Sequence, residues 1–301
     1  MIGVDIGGTK IAAALVDPGG QVKARRQSPT PVERGAEAIL AVVVELVEAL
    51  RATQSEIIAV GVGSAGQVDS ESGVVVDANE NLPGFRGLAL REYLQSAFHL
   101  PVVVDNDVKA AALAEARFGA GRGSQQMLLV MVGTGIGGAF IINGQVYRGA
   151  ANIAGEIGHL PFMPVEGRRC PCGRSGCIEA YASGRAISDI YMQSSHSDHV
   201  IDVKTIAGRA RTGDELACSV LNQAGYALGL TLGGLLNTLN PDMLVLGGGV
   251  LQVEELFLAS LARGMRVQAL PRMLAACRLQ RMQLIHDAVL VGASLLAASK
   301  Q

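Results

Sequence analysis

The residue types and spacing that first suggest chemistry are a histidine and a cluster of cysteines: Glu156-Ile-Gly-His159, then Cys170-Pro-Cys172-Gly-Arg-Ser-Gly-Cys177-Ile-Glu179. Three of the five cysteines fall within eight residues, and the histidine lies eleven residues upstream. Thiolates and a neutral imidazole make a closed tetrahedral set for structural Zn2+, a borderline-soft ion that imposes no geometry of its own. His159, Cys170, Cys172 and Cys177 are therefore the expected metal ligands. Gly173 and Gly176 allow the tight turns that bring the sulfurs together. Two carboxylates, Glu156 and Glu179, flank the set, and a closed structural site has no use for them. That surplus predicts a metal knuckle that positions a polar binding surface. Chance crowding or a disulfide is the alternative.

The elements that must position such a knuckle belong to a sizeable globular protein. A chain of 301 residues, 49% hydrophobic and 17% charged, buries a large core and ordinarily divides into two lobes. Its 38 glycines mark a structure rich in tight turns rather than disorder. A net charge of −2 gives no footprint for nucleic acid or an anionic membrane. The chain starts directly in an apolar strand, Met1-Ile-Gly-Val-Asp5, with no basic region or cleavage site, and no run of eighteen apolar residues occurs. An odd number of cysteines with three clustered fits a reducing cytoplasm, where Cys218 and Cys277 serve as small core residues.

One device occurs twice. Ile2-Gly-Val-Asp5-Ile-Gly7-Gly8-Thr9-Lys10 runs into the apolar stretch Ile11 to Val16, a turn at Asp17-Pro-Gly-Gly20 and Gln21-Val22. Leu128 to Val132 and Gly133-Thr134-Gly135-Ile136-Gly137-Gly138 run into Ala139 to Ile142, a turn at Asn143-Gly144 and Gln145-Val146. Each reads as strand, glycine loop, strand, hairpin turn, strand, and repetition of a whole unit predicts two lobes of related fold. Amphipathic helical patterns follow over Ala36 to Arg51, Leu88 to Phe98, Val108 to Phe118 and Leu216 to Leu239.

Gly133-x-Gly135-x-x-Gly138 and Gly61-x-Gly63-x-x-Gly66 both match the dinucleotide fingerprint, yet each leads into a strand or turn, where that fingerprint needs a helix to meet the pyrophosphate. No P-loop motif is present. What remains is two hairpin loops able to point backbone N–H groups at phosphates. A third place for close backbone approach is the buried strand Met243-Leu-Val-Leu ending in Gly247, Gly248 and Gly249, ahead of a helix expected around Val253 to Arg263.

The best candidate for an acid–base residue is Asp107, delivered with Asn106 by the strand Val102-Val-Val-Asp105 to an edge where sites in open α/β sheets collect. A plain helix N-cap is the other reading of Asp107, and Asp105 is a rival for the role. Asp5, at the end of the first strand, is placed to hold a hydrated Mg2+, which commonly takes one or two protein carboxylates.

Taken together, Asp5-Ile-Gly-Gly-Thr-Lys10, Asn106-Asp107, Gly133-Thr-Gly-Ile-Gly-Gly138 and Ala154-Gly-Glu-Ile-Gly-His159 with its Cys-x-Cys-Gly-x-x-Gly-Cys-x-Glu resemble the ROK family of sugar kinases and sugar-responsive repressors. The similarity runs from residue 2 to residue 298. It implies an α/β, two-lobed actin-like ATPase fold (hexokinase-type, ribonuclease H-like) with an inter-lobe cleft. The smaller N-terminal lobe would comprise 1–108 plus 288–301, with the first phosphate loop and the catalytic aspartate. The larger would comprise 109–287, with the second phosphate loop, the zinc knuckle and the adenosine site. The resemblance makes Asp107 the catalytic base, and Gly66, Asn81, Asn106, Glu156, His159 and Glu179 sugar ligands. ATP would be held by Asp5, Gly7, Gly8, Thr9, Lys10, Gly133, Thr134, Gly135, Gly137 and Gly247 to Gly249. His159 would serve zinc and sugar through its two ring nitrogens.

The activity implied is ATP-dependent phosphorylation of a hexose 6-hydroxyl, with Mg2+, by a cytoplasmic homodimer having no nucleic-acid or membrane partner. Ser64 to Asp69 replaces a more usual Pro-Gly-Pro segment, Phe85 stands where tryptophan is common, and Lys109 stands where many members have asparagine; these departures bear on the substrate. Glucose is expected first, with N-acetylmannosamine or N-acetylglucosamine as alternatives and polyphosphate as a possible donor. A repressor is disfavoured, because the phosphate-binding strand begins at residue 2. Since the phosphate loops lie elsewhere in the chain, loosening the knuckle is expected to weaken sugar binding and leave nucleotide binding little changed.

Overall fold

The computed structural model describes residues 1–54, 56–78, 80–197, 199–253 and 255–298. Two compact units emerge: unit 1 comprises Met1–Gly123, Ala139–Ala154 and Gln283–Gln301, and unit 2 comprises Ser124–Gly138 and Gly155–Met282. Compared with the expected division at 108/109 and 287/288, residues 109–123, 139–154 and 283–287 go with unit 1.

Unit 1 begins with β1 (Ile2–Ile6), β2 (Lys10–Val16), β3 (Val22–Pro29), α1 (Gly35–Arg51) and β4 (Val60–Ser64). A small hairpin, β5 (Gln67–Asp69) and β6 (Val74–Asp77), precedes α2 (Leu90–Phe98), β7 (Val102–Asn106) and α3 (Asp107–Phe118). The sheet order is β3-β2-β1-β4-β7, antiparallel through β3, β2 and β1 and parallel from β1 to β4 and β7.

The next stretch contains β8 (Gln126–Val132), β9 (Ile136–Ile142) and β10 (Gln145–Tyr147), then α4 (Glu179–Ala182), α5 (Gly184–Ser195), α6 (Val203–Arg211) and α7 (Glu215–Leu239). It ends with β11 (Met243–Gly247), α8 (Gly249–Val253), α9 (Glu255–Gln268), α10 (Pro271–Ala276) and β12 (Arg278–Arg281). The second five-stranded sheet has the order β10-β9-β8-β11-β12, with β11 parallel to β8 and β12 and β10 antiparallel to β9. Each sheet is a three-strand meander order extended by two strands, so the repeat read in the sequence is a repeat of topology. The helix expected around 253–263 is α9, and Glu254 lies outside the described residues.

Period-2 alternation explains how the first sheet is covered. Ile2, Val4 and Ile6 are fully buried in a core cluster that includes Ile39, Val43, Val47 and Leu50 of α1. Between them, Gly3 sits in register with Gly61 of β4. A methyl group at either would overlap the backbone of the last helix, α11 (Ala288–Ala298), at Leu290 or Ala293. That close approach, together with packing of α11 on α3, holds the C-terminal helix to unit 1. Among the described residues no helix is long and apolar enough to cross a membrane.

Candidate active site

β7 carries Asp105 and Asn106 to its C-terminal end, and α3 begins at once with Asp107. Asn106 is the N-cap of α3, with extended backbone and a side-chain oxygen that accepts from Lys109 N at 3.1 Å. Asp107 is therefore not the cap. Asn106 Nδ2 donates to Gly66 O (3.0 Å) and to Asp107 Oδ1 (2.9 Å), while Val108 N donates to the same Oδ1 at 2.9 Å.

The rival, Asp105, is wholly buried and committed elsewhere. Its Oδ2 accepts from Arg148 Nε (3.0 Å) and Nη2 (2.7 Å), and its Oδ1 accepts from Asn106 N at 2.8 Å.

Burial pushes the Asp107 carboxyl up to about 7, and the nearby Asp5 carboxylate adds to the rise. Asp5 itself is pushed up to about 6 by burial, against the pull of Lys10 and Arg25. Asp5, Gly63 and Asp105 lie in one row across three strands. Two carboxylates of which one raises the other form a hard-oxygen set that a divalent cation would relieve, and this suits Mg2+.

The first glycine loop joins β1 to β2. Gly7 N donates to Lys10 O (3.1 Å), Thr30 Oγ1 to Gly7 O (2.6 Å) and Thr30 N to Thr9 O (3.0 Å). Thr9 and Lys10 are exposed. Asn81 packs its side chain on Gly8, where a Cβ would stand 2.5 Å from Asn81 Cβ. Gly66 has φ +94° and reaches the site through its carbonyl.

In unit 2 the four expected metal ligands converge. One ligand atom from each of His159, Cys170, Cys172 and Cys177 lies within 4.8 Å of every other. Cys172 Sγ and Cys177 Sγ are 3.7 Å apart, as are Cys170 Sγ and His159 Nδ1. Zn–S bonds of about 2.3 Å at tetrahedral angles give S···S edges of about 3.8 Å, which the Cys172–Cys177 edge matches, so the donor set fits a zinc ion. It is far too open for a disulfide, and all five cysteines are free. Burial pushes the Cys170 thiol up to about 12, so its ligand form needs a cation to draw off the proton. Gly173 (φ +84°) and Gly176 (φ +80°) both take the left-handed turn conformation. Tyr181 braces the knuckle, accepting from Arg168 N at 2.7 Å and meeting Phe162 edge-on at 5.1 Å.

His159 turns its other nitrogen, Nε2, towards Glu156 Oε2 at 3.8 Å. Its two nitrogens thus face different neighbours. Glu179 is tied on both sides: Oε2 accepts from Ile136 N at 2.7 Å, and Oε1 lies 3.9 Å from Cys170 Sγ.

Ile136 is the first residue of β9, where the chain leaves the second glycine loop that follows β8. Gly133 N donates to Gly135 O (2.9 Å), Gly184 N to Gly133 O (2.8 Å), Arg185 N to Thr134 O (3.4 Å) and Gly138 N to Gly155 O (3.1 Å). Thr134 is exposed, and Gly137 and Gly138 continue into β9, where no helix starts. Segment 155–185, which carries the knuckle, therefore holds this loop at several points. Separation in sequence was the ground for expecting nucleotide binding to be indifferent to the knuckle, and the fold removes that ground. The third glycine run divides: Gly247 packs under Met282, Gly248 (φ +96°) presses on the Val132 carbonyl, and Gly249 faces open space.

The partners of several buried groups have no local sequence signal. Lys109 is buried and donates from Nζ to Asn152 O at 2.6 Å, and Asn152 Nδ2 donates to Asp69 Oδ1 at 2.9 Å. Lys109 stands out in the sequence only as a departure from asparagine, with no sign of this bond, and Arg148 does not stand out at all. Glu115 could have been found as a lone acid on the apolar face of α3. Fully buried, it accepts from Ala120, Gln283 and Leu284 N–H groups at 2.6 to 2.9 Å.

Two sheets of one topology, each with a glycine loop in its leading hairpin, are the arrangement of the actin-like class of ATPases. The ROK family profile matches residues 1–300, and the chain belongs to the ROK family. A glucokinase of Halalkalibacterium halodurans is 32% identical over 316 aligned residues, covering 100% of this chain and 95% of its own. An N-acetylmannosamine kinase of Shigella flexneri is 33% identical over 308, covering 100% and 99%. The crystal structure of a ROK family glucokinase from Streptomyces griseus in complex with glucose and AMPPNP superposes with a TM-score of 0.84 at 34% identity, covering 99% of each chain.

Proposed function

We propose that this protein transfers the γ-phosphoryl group of ATP to the 6-hydroxyl of a hexose, glucose before others, with Asp107 as the base. That it is an ATP-dependent sugar kinase follows from its full-length kinase relatives. The observation that carries the assignment of the base is the contrast between two neighbouring carboxyls. Asp105 is spent on Arg148, whereas Asp107 is raised to about 7, where a base both accepts a proton and is available at neutral pH.

Phosphoryl transfer through a loose transition state asks mainly for alignment and charge stabilisation. Asn106 and Val108 N–H fix Asp107 through Oδ1, which leaves Oδ2 to take the sugar proton. Asn106, Glu156, His159 and Glu179 would orient the sugar with Gly66 and Asn81 near it, and the two glycine loops with Gly249 would receive the nucleotide. Asp5 would hold Mg2+, whose chemistry is to neutralise phosphate charge. His159, Cys170, Cys172 and Cys177 would hold one structural zinc. We place the protein in the cytoplasm as a homodimer.

The competing sugar is N-acetylmannosamine, since a kinase of that sugar is as similar as the glucokinases. Steady-state kinetics on glucose, mannose, N-acetylglucosamine and N-acetylmannosamine, with ATP and polyphosphate as donors, test the reading. Glucose with ATP should give the highest kcat/KM and a 6-phosphate product. A higher value for either N-acetyl sugar overturns the preference, and no phosphorylated sugar with any donor overturns the activity.

A further inference from the structure

We propose that Glu179, beyond any contact with sugar, is a positioning residue that holds the second glycine loop in its nucleotide-receiving form. The proposal rests on the reading that this loop receives nucleotide. Glu179 stands two residues after Cys177, at the start of α4, and its carboxylate reaches the middle of the loop. Oε2 accepts the Ile136 N–H at 2.7 Å, a short charge-assisted bond, so that N–H is directed to the carboxylate and not to a phosphate.

The glycines around it record the same contact. A Cβ on Gly135 would lie 2.6 Å from Glu179 Oε2, and one on Gly158 would lie 3.2 Å from the same atom. The carboxylate therefore fills the space between the loop and the residue before His159. The first half of the loop hangs on Gly184 and Arg185 backbone N–H groups, and its end on the Gly155 carbonyl. Between these, Glu179 supplies the side-chain hydrogen bond, at Ile136, whose carbonyl also packs on Gly158. With Oε1 3.9 Å from Cys170 Sγ, the carboxylate joins three things: the knuckle, the sugar-facing segment and the loop. Displacing it should slacken the loop without touching any residue that meets the nucleotide.

The test is isothermal titration of Mg2+·AMP-PNP into zinc-loaded, full-length protein without sugar. Glu179→Ala should weaken binding about tenfold, the scale for losing a charge-assisted hydrogen bond. Glu179→Gln keeps an acceptor for Ile136 N–H, so its Kd should stay within about threefold of wild type while glucose binding falls. Gly135→Ala should weaken AMP-PNP by pushing the carboxylate aside, and should add little in a Glu179→Ala background, a non-additivity that a merely destabilised loop does not produce.

Zinc content and melting temperature are read in parallel. If Glu179→Ala sheds zinc, the Gln variant and the effect of Gly135→Ala in the Glu179→Gln background decide. Unchanged AMP-PNP affinity in Glu179→Ala with zinc intact, or full additivity with Gly135→Ala, overturns the proposal and leaves Glu179 a sugar ligand alone. Gly133→Val, which places a branched side chain in open space at the loop, separates the two failures. If it too leaves AMP-PNP unaffected, the loop is not a nucleotide site and both readings fall.

Discussion

The two glycine loops occupy equivalent places in two sheets of the same topology, yet they are held differently. The loop at Gly7 and Gly8 is fixed locally, by Lys10 within the hairpin, by Thr30 at the end of its neighbour strand and by the Asn81 side chain. The loop at 133–138 is fixed from outside its sheet, by a segment that carries a metal knuckle and by one carboxylate from it. A repeated fold unit thus keeps its backbone while the means of support diverge. One loop rests on its own hairpin, a neighbouring strand end and Asn81, and the other on the segment that carries the Cys/His cluster.

The strongest way to break that contrast is to remove the metal. Cys172, the exposed ligand, can be changed to serine with the least disturbance of packing. Cys172→Ser, or chelation of the wild type, should weaken both glucose and AMP-PNP binding by about tenfold or more, since the loop loses the anchor behind Glu179. Elemental analysis should find one zinc per chain before treatment. Weakening of sugar binding alone would show that the loop stands without the knuckle.

A smaller effect sharpens the other side. Gly8→Ala crowds Asn81 and should cost about 1–3 kcal/mol of loop strain, seen as weaker AMP-PNP binding that is the same with zinc bound or chelated. A zinc-dependent response there would erase the distinction between the loops.

The smallest effect concerns stability. A carboxyl whose folded pKa, about 7, exceeds its unfolded value keeps its proton in the native state over that window, so stability falls as pH rises through it. Asp107→Asn should therefore raise the melting temperature at pH 8 by about 1–2 °C for each kcal/mol relieved, and the gain should vanish near pH 4. In the wild type the same titration should make kcat/KM fall as pH drops through about 7.

Much of this arrangement was legible in the sequence, because it is written in local patterns. The convergence of His159 with Cys170, Cys172 and Cys177, the left-handed glycines at 173 and 176, the doubled hairpin and the limits of α1, α3 and α7 all follow from spacing within a few residues. The choice among Asp105, Asn106 and Asp107 did not. All three have side chains able to cap a helix; the Lys109 N–H on Asn106 Oδ1 picks out the cap, and Arg148, 43 residues away from Asp105, commits that carboxylate elsewhere. The bond from Ile136 to Glu179 spans the same distance in sequence and is equally silent. Gly247 to Gly249 look alike in a string, and only packing against Met282 and Val132 distinguishes the structural pair from the open one.

The central claim is that Asp107 is the base of a sugar kinase, and its most direct test is the turnover of Asp107→Asn beside its glucose affinity. Loss of a positioned base should lower kcat by about 10²–10⁴-fold. Glucose affinity should stay within a few-fold of wild type, because Asn106 and the Glu156–Glu179 segment are untouched. Near-normal turnover in Asp107→Asn, or a crippled Asp105→Asn that folds normally beside an active Asp107→Asn, would contradict the account.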